Sequence, residues 1–252
     1  MSPWRRRGVA LLEAGWRWTW APPRCCGCAA RLQRNAVFCP PCAEAVVRCG
    51  PLDVAGLDAL RAFGVYGGPL AEAIRRLKYD GRTELAGPLG QLARRALPPL
   101  RKDLISPPTS RCVIPVPLDP TRLAARGFNQ SALIARPVAR GEGWRFCPGW
   151  LRRTIPTRVQ AKLGRKARHR NMSGAVFAAR PSVRGTSVLL VDDVATTGAT
   201  LQACARALRR QGAWHVEALV LAHRPADGSP GATRADEGDQ EPWLVQALLD
   251  GR

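Results

Sequence analysis

The pattern that most constrains the fold is a strand, a helix and a second strand near the C-terminal end of the chain. Residues 183–193 (VRGTSVLLVDD) contain a run of Val and Leu without polar alternation, which is typical of a strand buried on both faces of a parallel sheet. Residues 198–213 (GATLQACARALRRQGA) have the spacing of an amphipathic helix, and residues 214–223 (WHVEALVLAH) form a second apolar strand. This order predicts a βαβ unit and hence an α/β fold, with a central, mostly parallel sheet flanked by helices.

Two adjacent acids end the first of these strands. Asp192 and Asp193 are expected at the carboxyl edge of the sheet, where open α/β sheets bind their ligands. Paired carboxylates can accept hydrogen bonds from vicinal hydroxyl groups, and such hydroxyls or a metal ion relieve their mutual repulsion. The alternative is that the acids only cap the following helix, although one acid would suffice for that.

The loop after the acids has the features of a phosphate site. It leads into a helix N-terminus, where free backbone N–H groups and the helix dipole favour an anion. Gly198 allows the backbone to approach a ligand closely. Three hydroxyl donors lie around it, Thr196, Thr197 and Thr200. Together with the acids, this loop predicts a site for a sugar phosphate.

The charge distribution favours a phosphate-rich partner. The chain carries a formal net charge of +20, and residues 225–252 alone carry −4, so the preceding 224 residues carry +24. Such a field attracts nucleotides or nucleic acid. The positive charge is densest in residues 152–170, which contain eight Lys or Arg and no acid. The alternative is that the arginines serve solubility alone.

Two C-x2-C pairs predict a zinc site. The chain has nine cysteines, and an odd number clustered at one end is not typical of a secreted disulfide framework. The two pairs are ten residues apart, so four thiolates can converge on a tetrahedral zinc ion that substitutes for a hydrophobic core. The ligands are Cys25, Cys28, Cys39 and Cys42. Cys26 or Cys49 is the alternative for one of them. Four thiolates leave no position for water, which indicates a structural site, and reduced thiols predict a cytoplasmic location.

The remaining chain adds further strands and helices. Strands are expected at residues 59–66, 111–118 and 145–151, and helices at residues 69–78, 84–96 and 127–139. Pro137 must kink or end the last of these helices, and the strand at 111–118 runs into a proline-rich turn. A short helix is expected at residues 242–249 of a tail whose composition otherwise predicts disorder.

The N-terminal segment is rich in arginine and tryptophan. It starts like a signal peptide, but Glu13, Arg17 and four tryptophans interrupt its apolar part, and no small-residue cleavage site follows. We therefore expect it to be retained. No stretch reaches the roughly 18–20 apolar residues of a transmembrane span. Peripheral contact with the cytoplasmic face of the inner membrane is one hypothesis, and a helix packed on the zinc ribbon is the alternative.

The segment VLLVDDVATTGAT at residues 188–200 resembles the phosphoribosyl-pyrophosphate (PRPP) motif of type I phosphoribosyltransferases. Other blocks resemble one branch of that group, the ComF family of competence-associated proteins, which also includes the GntX proteins. They are the two C-x2-C pairs, LKYDGR at 77–82, IPVPLDPTRLAARGFNQ at 114–130 and TIPTRVQAKLGRKARHRNMSGAVF at 154–177. The resemblance spans roughly residues 20–224, and it implies a type I phosphoribosyltransferase fold with a small N-terminal zinc-ribbon module.

The resemblance also implies roles for individual residues. Asp192 and Asp193 would hold the ribose hydroxyls of PRPP. Backbone N–H groups of the following loop would hold its 5′-phosphate, at Ala195, Thr196, Thr197, Gly198, Ala199 and Thr200. The loop VPLDPTR at 116–122 would bind pyrophosphate, with Pro117, Leu118, Arg122 and Arg126 as its residues.

The basic segment 152–170 corresponds to the mobile loop that folds over PRPP and excludes water. Its Arg165 and Arg170 join the two acids as catalytic candidates, because positioned arginines and Mg²⁺ must neutralise the charge of the leaving pyrophosphate. The alternative is that this segment is a solvated basic helix. The other positions that match family motifs are Lys78, Tyr79, Asn129, Gln130, Gln160 and Asn171.

The chain is expected to have four parts. They are a basic, Trp-rich segment (1–22), a zinc ribbon (23–50), a phosphoribosyltransferase-like domain (55–224) and an acidic, flexible tail (225–252). Two functions are consistent with them. The first is a PRPP-dependent phosphoribosyltransferase of unknown acceptor, involved in DNA uptake, natural transformation or the use of external DNA. The second is a non-catalytic competence factor that binds single-stranded DNA, in which PRPP is regulatory. Competence and recombination proteins are the expected protein partners in either case.

Overall fold

The structure is a computed structural model that describes residues 22–32, 36–50, 52–98, 110–154 and 176–225. The predictions for the Trp-rich N-terminal segment, for most of the basic segment 152–170 and for the acidic tail with its helix at 242–249 lie outside these residues.

A parallel sheet forms the centre of the described chain. The described residues form seven strands, β1 (Ala59–Val65), β2 (Arg111–Pro115), β3 (Arg145–Phe146), β4 (Leu151–Thr154), β5 (Val176–Ala179), β6 (Ser187–Ala195) and β7 (His215–His223). Five of them pair in the order β1-β7-β6-β2-β3, and every pairing is parallel. The other two, β4 and β5, form a separate antiparallel pair. The predicted mostly parallel sheet is therefore confirmed.

Helices cover both faces of this sheet. The described residues form α1 (Pro40–Glu44), α2 (Gly68–Tyr79), α3 (Ala86–Arg94), α4 (Pro120–Arg126), α5 (Gln130–Glu142) and α6 (Ala199–Arg210). One apolar core joins α2, α3 and α5 to one face of the sheet, and a second joins α6 and the β4–β5 pair to the other face. The continuous apolar run of β6 follows from this, because Leu189 contributes to the first core and Leu190 to the second.

Helix α5 passes through Pro137 without ending there. Of the two predicted effects of this proline, a kink or the end of the helix, the second is excluded, since α5 continues to Glu142. Pro137 lies at a close contact with α3: a Cβ atom added to Gly90 would come within 2.3 Å of the Pro137 ring. The packing of α3 on α5 therefore requires glycine at position 90.

Three further elements differ from their predictions. The strand expected at 145–151 is two short strands, β3 and the start of β4, which belong to different sheets. The strand expected at 111–118 ends at Pro115, and a four-residue loop then leads to α4, which begins at Pro120. Asp119 caps α4 by accepting a hydrogen bond from the Thr121 backbone. Strand β6 extends two residues beyond the paired acids, to Ala195.

No helix in the described part of the chain combines the length and the hydropathy of a membrane span.

Candidate functional site

The two acids lie near the carboxyl end of β6, in the middle of the sheet. Strand β6 pairs with β2 on one side and β7 on the other, so loops from three strands meet at this edge. Asp193 is buried, with 4% of its surface exposed, and Asp192 is partly buried. The edge is the position at which α/β sheets bind ligands, as the sequence predicted.

Asp192 is held by two donors on one oxygen. Its Oδ1 accepts a hydrogen bond of 2.6 Å from the Ser131 hydroxyl and one of 2.9 Å from the Asp193 backbone N–H. Ser131 is 1% exposed and lies in the first turn of α5. Burial, and then the adjacent Asp193 charge, raise the pKa of Asp192 to about 7, against the lowering effect of Ser131.

Asp193 faces a lysine. Lys78 Nζ lies 2.8 Å from Asp193 Oδ2, and the side chains are 18% and 5% exposed, respectively. No hydrogen bond of good geometry reaches this oxygen from the described residues. The ion pair relieves the repulsion between the two adjacent carboxylates at this buried edge.

The family-motif positions are linked to the two acids by a series of pairwise contacts. Lys78 contacts Asp193, and the next residue, Tyr79, lies under the Arg126 guanidinium, whose carbon is 5.2 Å from the ring centroid. Arg126 donates a hydrogen bond to the Gln130 side chain, and Gln130 precedes Ser131, which bonds Asp192. Sequence blocks separated by more than 40 residues thus meet at one site.

The loop between β2 and α4 is fixed from α5. Asn129 Nδ2 donates a hydrogen bond of 3.0 Å to the Val116 carbonyl, and Asn129 Oδ1 caps α5 by accepting one from the Ser131 backbone. Arg153 of β4 lies 3.7 Å from Asp119 of the same loop. The first residues of the basic segment 152–170, from Arg152 to Thr154, are therefore strand and lie beside the predicted pyrophosphate loop.

The structure shows the positions of the residues predicted for the pyrophosphate loop but not those of most of the basic segment. Pro117 and Leu118 lie in the β2–α4 loop, and Arg122 is exposed on α4. Arg126 was expected beside pyrophosphate, and its guanidinium contacts Tyr79 and Gln130. Four other predicted residues lie outside the described part of the chain, Gln160, Arg165, Arg170 and Asn171.

The predicted phosphate loop connects β6 to α6 in a tight turn. Gly198 caps α6 with a φ of 74°, and Thr197 Oγ1 accepts a hydrogen bond of 3.4 Å from the Ala199 backbone. Two residues at the end of β7, which sequence reasoning missed, support the start of the loop. His223 Nε2 lies 3.1 Å from the Thr196 carbonyl, and the Arg224 backbone donates to the Ala195 carbonyl. The twelve-residue helix α6 thus presents its N-terminus beside the two acids.

Replacing Gly198 with alanine should disrupt this loop. The positive φ disfavours any side chain by about 1–2 kcal/mol, and a Cβ atom here would lie 2.8 Å from Val54 Cγ1. We expect Gly198→Ala to weaken the binding of ribose 5-phosphate at least tenfold, as measured by calorimetry. Gly185→Ala is the matched control, because Gly185 has a φ of 68° but no atom within 4 Å of the added Cβ. Equal binding by the two variants would show that the loop does not hold phosphate.

The raised pKa of Asp192 predicts a pH dependence of stability. Between its ordinary value of 3.8 and about 7, the carboxyl keeps its proton in the folded chain and loses it in the unfolded chain. The folded state binds more protons in this window, so the free energy of unfolding should fall as pH rises, by up to about 1.4 kcal/mol per pH unit. Asp192→Asn should remove this slope. Urea denaturation of both proteins from pH 5 to pH 8 measures the difference in their free energies of unfolding. Cysteine titration contributes equally to both proteins and cancels in this difference. Parallel curves of the free energy against pH would contradict the prediction.

The four predicted cysteines converge on one point. Their Sγ atoms lie within 4.8 Å of one another, and those of Cys28 and Cys39 are 3.6 Å apart. Thiolates about 2.3 Å from a tetrahedral zinc ion are about 3.8 Å apart, so the cluster can hold a metal such as zinc. Cys25 Sγ accepts hydrogen bonds from the backbone N–H groups of Cys28 and Cys39. Burial raises the pKa of the Cys42 thiol, which a bound cation would oppose. Cys26 and Cys49 lie outside the cluster.

This cysteine module packs into the core of the sheet domain. Phe38 is fully buried and belongs to the same apolar core as Leu70 and Ile74 of α2. A Cβ atom on Gly27, in the first C-x2-C pair, would lie 2.8 Å from Cβ of Pro69, the second residue of α2. The module therefore supports the start of the helix whose last turn carries Lys78 and Tyr79.

Comparison with protein families and with curated proteins supports the assignment of this edge as a functional site. The family model described as "Phosphoribosyl transferase domain" matches residues 154–247, which include β6, the loop after it and α6.

Several curated bacterial proteins are similar over most of their length. The chain is 31% identical over 203 residues to DNA utilization protein YhgH of Salmonella typhi, covering 78% of this chain and 88% of that protein. It is 29% identical over 207 residues to competence protein F of Haemophilus influenzae, covering 79% of this chain and 84% of that one. With competence protein ComFC of Bacillus subtilis the identity is 27% over 153 residues, or 60% of this chain and 58% of that one.

Proposed function

The chain belongs to the ComF family and has a phosphoribosyltransferase domain, and from that premise we propose that it binds PRPP at the carboxyl edge of its sheet and transfers the phosphoribosyl group to an acceptor. One observation carries the proposal. The paired acids Asp192 and Asp193 lie among the last residues of β6, two residues before a glycine-containing loop that leads into the N-terminus of α6, so acceptors for ribose hydroxyls lie near donors for a 5′-phosphate.

Each part of PRPP has a counterpart at this edge. The ribose hydroxyls donate to the two acids, of which Asp193 also forms an ion pair with Lys78 at 2.8 Å. The backbone of residues 195–200 donates to the 5′-phosphate. The loop 116–119 and the positive charge of the surrounding chain receive pyrophosphate, which leaves with the electron pair of its bond to C1 as the acceptor bonds to that carbon.

Magnesium accompanies PRPP in this proposal. One oxygen of each acid already contacts a protein group, Ser131 for Asp192 and Lys78 for Asp193, and the ammonium group beside Asp193 disfavours direct coordination of a cation there. Mg²⁺ commonly binds through substrate phosphates and water with few protein ligands, so the residues fit an ion carried mainly by PRPP. When bound, the ion neutralises charge on the leaving pyrophosphate.

Calorimetric titration of the full chain with PRPP in the presence of Mg²⁺ tests binding, and pyrophosphate release across candidate bases tests transfer. We expect saturable binding of one PRPP per chain. Absence of binding at millimolar PRPP would refute the proposal. Binding without pyrophosphate release in the presence of any base would instead favour the regulatory role of PRPP.

A role in handling single-stranded DNA is the second candidate. The printed names of the relatives, DNA utilization protein and competence proteins, and the charge of +24 over residues 1–224 support it. Phosphate contacts by Lys and Arg make affinity fall steeply with salt. We expect an oligo-dT strand to bind at 50 mM salt and to be lost at 200 mM, in a fluorescence-anisotropy titration. No binding at 50 mM would exclude this role for the chain alone.

A further inference from the structure

The side chain of His223 joins the end of β7 to the predicted phosphate loop. His223 is the last residue of β7, and its backbone carbonyl accepts a hydrogen bond of 2.8 Å from the Tyr66 N–H. This bond fixes the end of β7 against the segment that follows β1. The imidazole extends to the neighbouring loop, where Nε2 lies 3.1 Å from the Thr196 carbonyl oxygen. A carbonyl oxygen only accepts, so the ring nitrogen that faces it carries the proton.

The other ring nitrogen shows that packing alone does not require histidine here. Nδ1 is buried and has no hydrogen-bond partner among the described residues. With the proton on Nε2, Nδ1 is an unpaired acceptor, and burying such a group has a free-energy cost that an apolar side chain would avoid. The bond to Thr196 is therefore the contact that distinguishes histidine from an apolar residue at position 223.

Two consecutive peptide groups of the loop are oriented by the end of β7. The Ala195 carbonyl accepts a hydrogen bond of 2.8 Å from the Arg224 N–H, and the Thr196 carbonyl faces His223. In a planar trans peptide, the C=O and the following N–H point in opposite directions. Holding these two carbonyls toward β7 therefore turns the N–H groups of Thr196 and Thr197 away from it.

These two N–H groups are available to a ligand. Neither donates a hydrogen bond to another described residue, and Thr196 and Thr197 are both exposed. They lie directly before the residue that caps α6, where consecutive N–H groups form a concave donor set for an anion. The Arg224 guanidinium lies 5.8 Å from the Tyr66 ring centroid. The end of β7 thus acts on the loop through the Arg224 backbone and the His223 ring.

We propose that His223 is a positioning residue of the 5′-phosphate site, whose Nε2–H holds the Thr196 carbonyl so that the Thr197 N–H points at the phosphate. The inference rests on the proposed function and deepens it, because it identifies what fixes the donors of the loop before a ligand arrives. A donor set that is already oriented loses less freedom when it binds an anion. His223 acts through the peptide group between Thr196 and Thr197 and does not touch the ligand.

Calorimetric titration of full-chain variants with ribose 5-phosphate tests the inference. We expect His223→Leu to lower the affinity about fivefold to tenfold, the effect of one lost hydrogen bond, because the Thr196 carbonyl loses its donor. His223→Gln should keep the affinity within about twofold, since its side-chain amide presents an N–H near the position of Nε2. His215→Leu is the matched control, because His215 begins β7 at the opposite edge of the sheet and bonds Glu217.

A second variant and a second measurement separate positioning from stability. His223→Asn places an amide at the position of Nδ1 and not of Nε2, so we expect it to bind like His223→Leu without introducing an apolar side chain. Inorganic phosphate added to native chain should shift the amide NMR signals of Thr196 and Thr197. These shifts should persist in His223→Gln and shrink in His223→Asn at equal melting temperature.

The outcomes distinguish this inference from the proposed function. If native chain binds ribose 5-phosphate and His223→Leu and His223→Asn bind it equally well, His223 does not position the loop, while the sugar-phosphate site stands. If His223→Gln binds as weakly as His223→Leu, the ring is required and not its N–H, and the inference is overturned. If native chain binds no ribose 5-phosphate, the proposed site fails and the inference with it.

Discussion

Asp193→Asn should reduce PRPP affinity by about 100-fold or more. The substitution keeps the shape of the side chain and removes its charge, so the ribose hydroxyls lose a charged acceptor. A hydrogen bond to a charged group contributes about 1.5–3 kcal/mol, and two such bonds correspond to the expected loss. The change also leaves Lys78, 18% exposed, without its carboxylate partner at 2.8 Å. Calorimetric titration of native chain and variant with PRPP and Mg²⁺ measures the effect.

The unpaired lysine requires a second variant. Asp193→Asn combined with Lys78→Gln removes both charges of the pair, and we expect it to recover stability without recovering PRPP affinity. Glu217→Gln is the matched control, since Glu217 lies on the neighbouring strand β7 and bonds His215 near the opposite edge of the sheet. Retained PRPP affinity in Asp193→Asn, with a native melting temperature, would remove this acid from the site.

Local patterns predicted the βαβ unit and its acids. The apolar run of β6 and the amphipathic spacing of α6 are set by burial on nearby faces, so a short window of sequence contains them. Gly198 was predicted to let the backbone approach a ligand, and its φ of 74° gives a further reason for glycine at this turn.

Long-range contacts could not be predicted in this way. Ser131 is 61 residues from Asp192, and His223 is 27 residues from Thr196, so neither contact leaves a local pattern. Ser131 directly follows the matched positions Asn129 and Gln130, and that adjacency was the available signal. The partner of Lys78 was not visible either, because a lysine near the end of a helix is usually solvated.

The cysteine module likewise has one feature that local sequence predicted and one that depends on long-range packing. The spacing of two C-x2-C pairs predicted the cluster, whose Sγ atoms lie within 4.8 Å of one another. The sequence also suggested that metal would substitute for a core in this short segment. Instead, Phe38 and Cys26 are buried in the main core together with α2. That packing depends on which helix the module meets, and it gives a metal site an influence on the whole domain.

Loss of one cysteine from the cluster should therefore destabilise the domain and not only the module. We expect Cys39→Ser to lower zinc content from about one per chain to none, as measured by elemental analysis. Structural zinc in small domains contributes about 10 kcal/mol or more of apparent binding energy, and even a third of that lowers the melting temperature of a chain of this size by about 10 °C. Because Gly27 contacts the start of α2 and Lys78 lies in its last turn, PRPP affinity should also fall.

Cys49→Ser separates the metal from the loss of a thiol. Cys49 is half-buried and lies outside the four-cysteine cluster, so we expect this variant to keep its zinc and to melt within a few degrees of native chain. A chelator added to native chain should reproduce the effect of Cys39→Ser, because removing the ion leaves four closely spaced thiols to share the same small volume. If Cys39→Ser loses its zinc yet keeps the native melting temperature and PRPP affinity, the ion does not stabilise this core, and α2 is held by its apolar face alone.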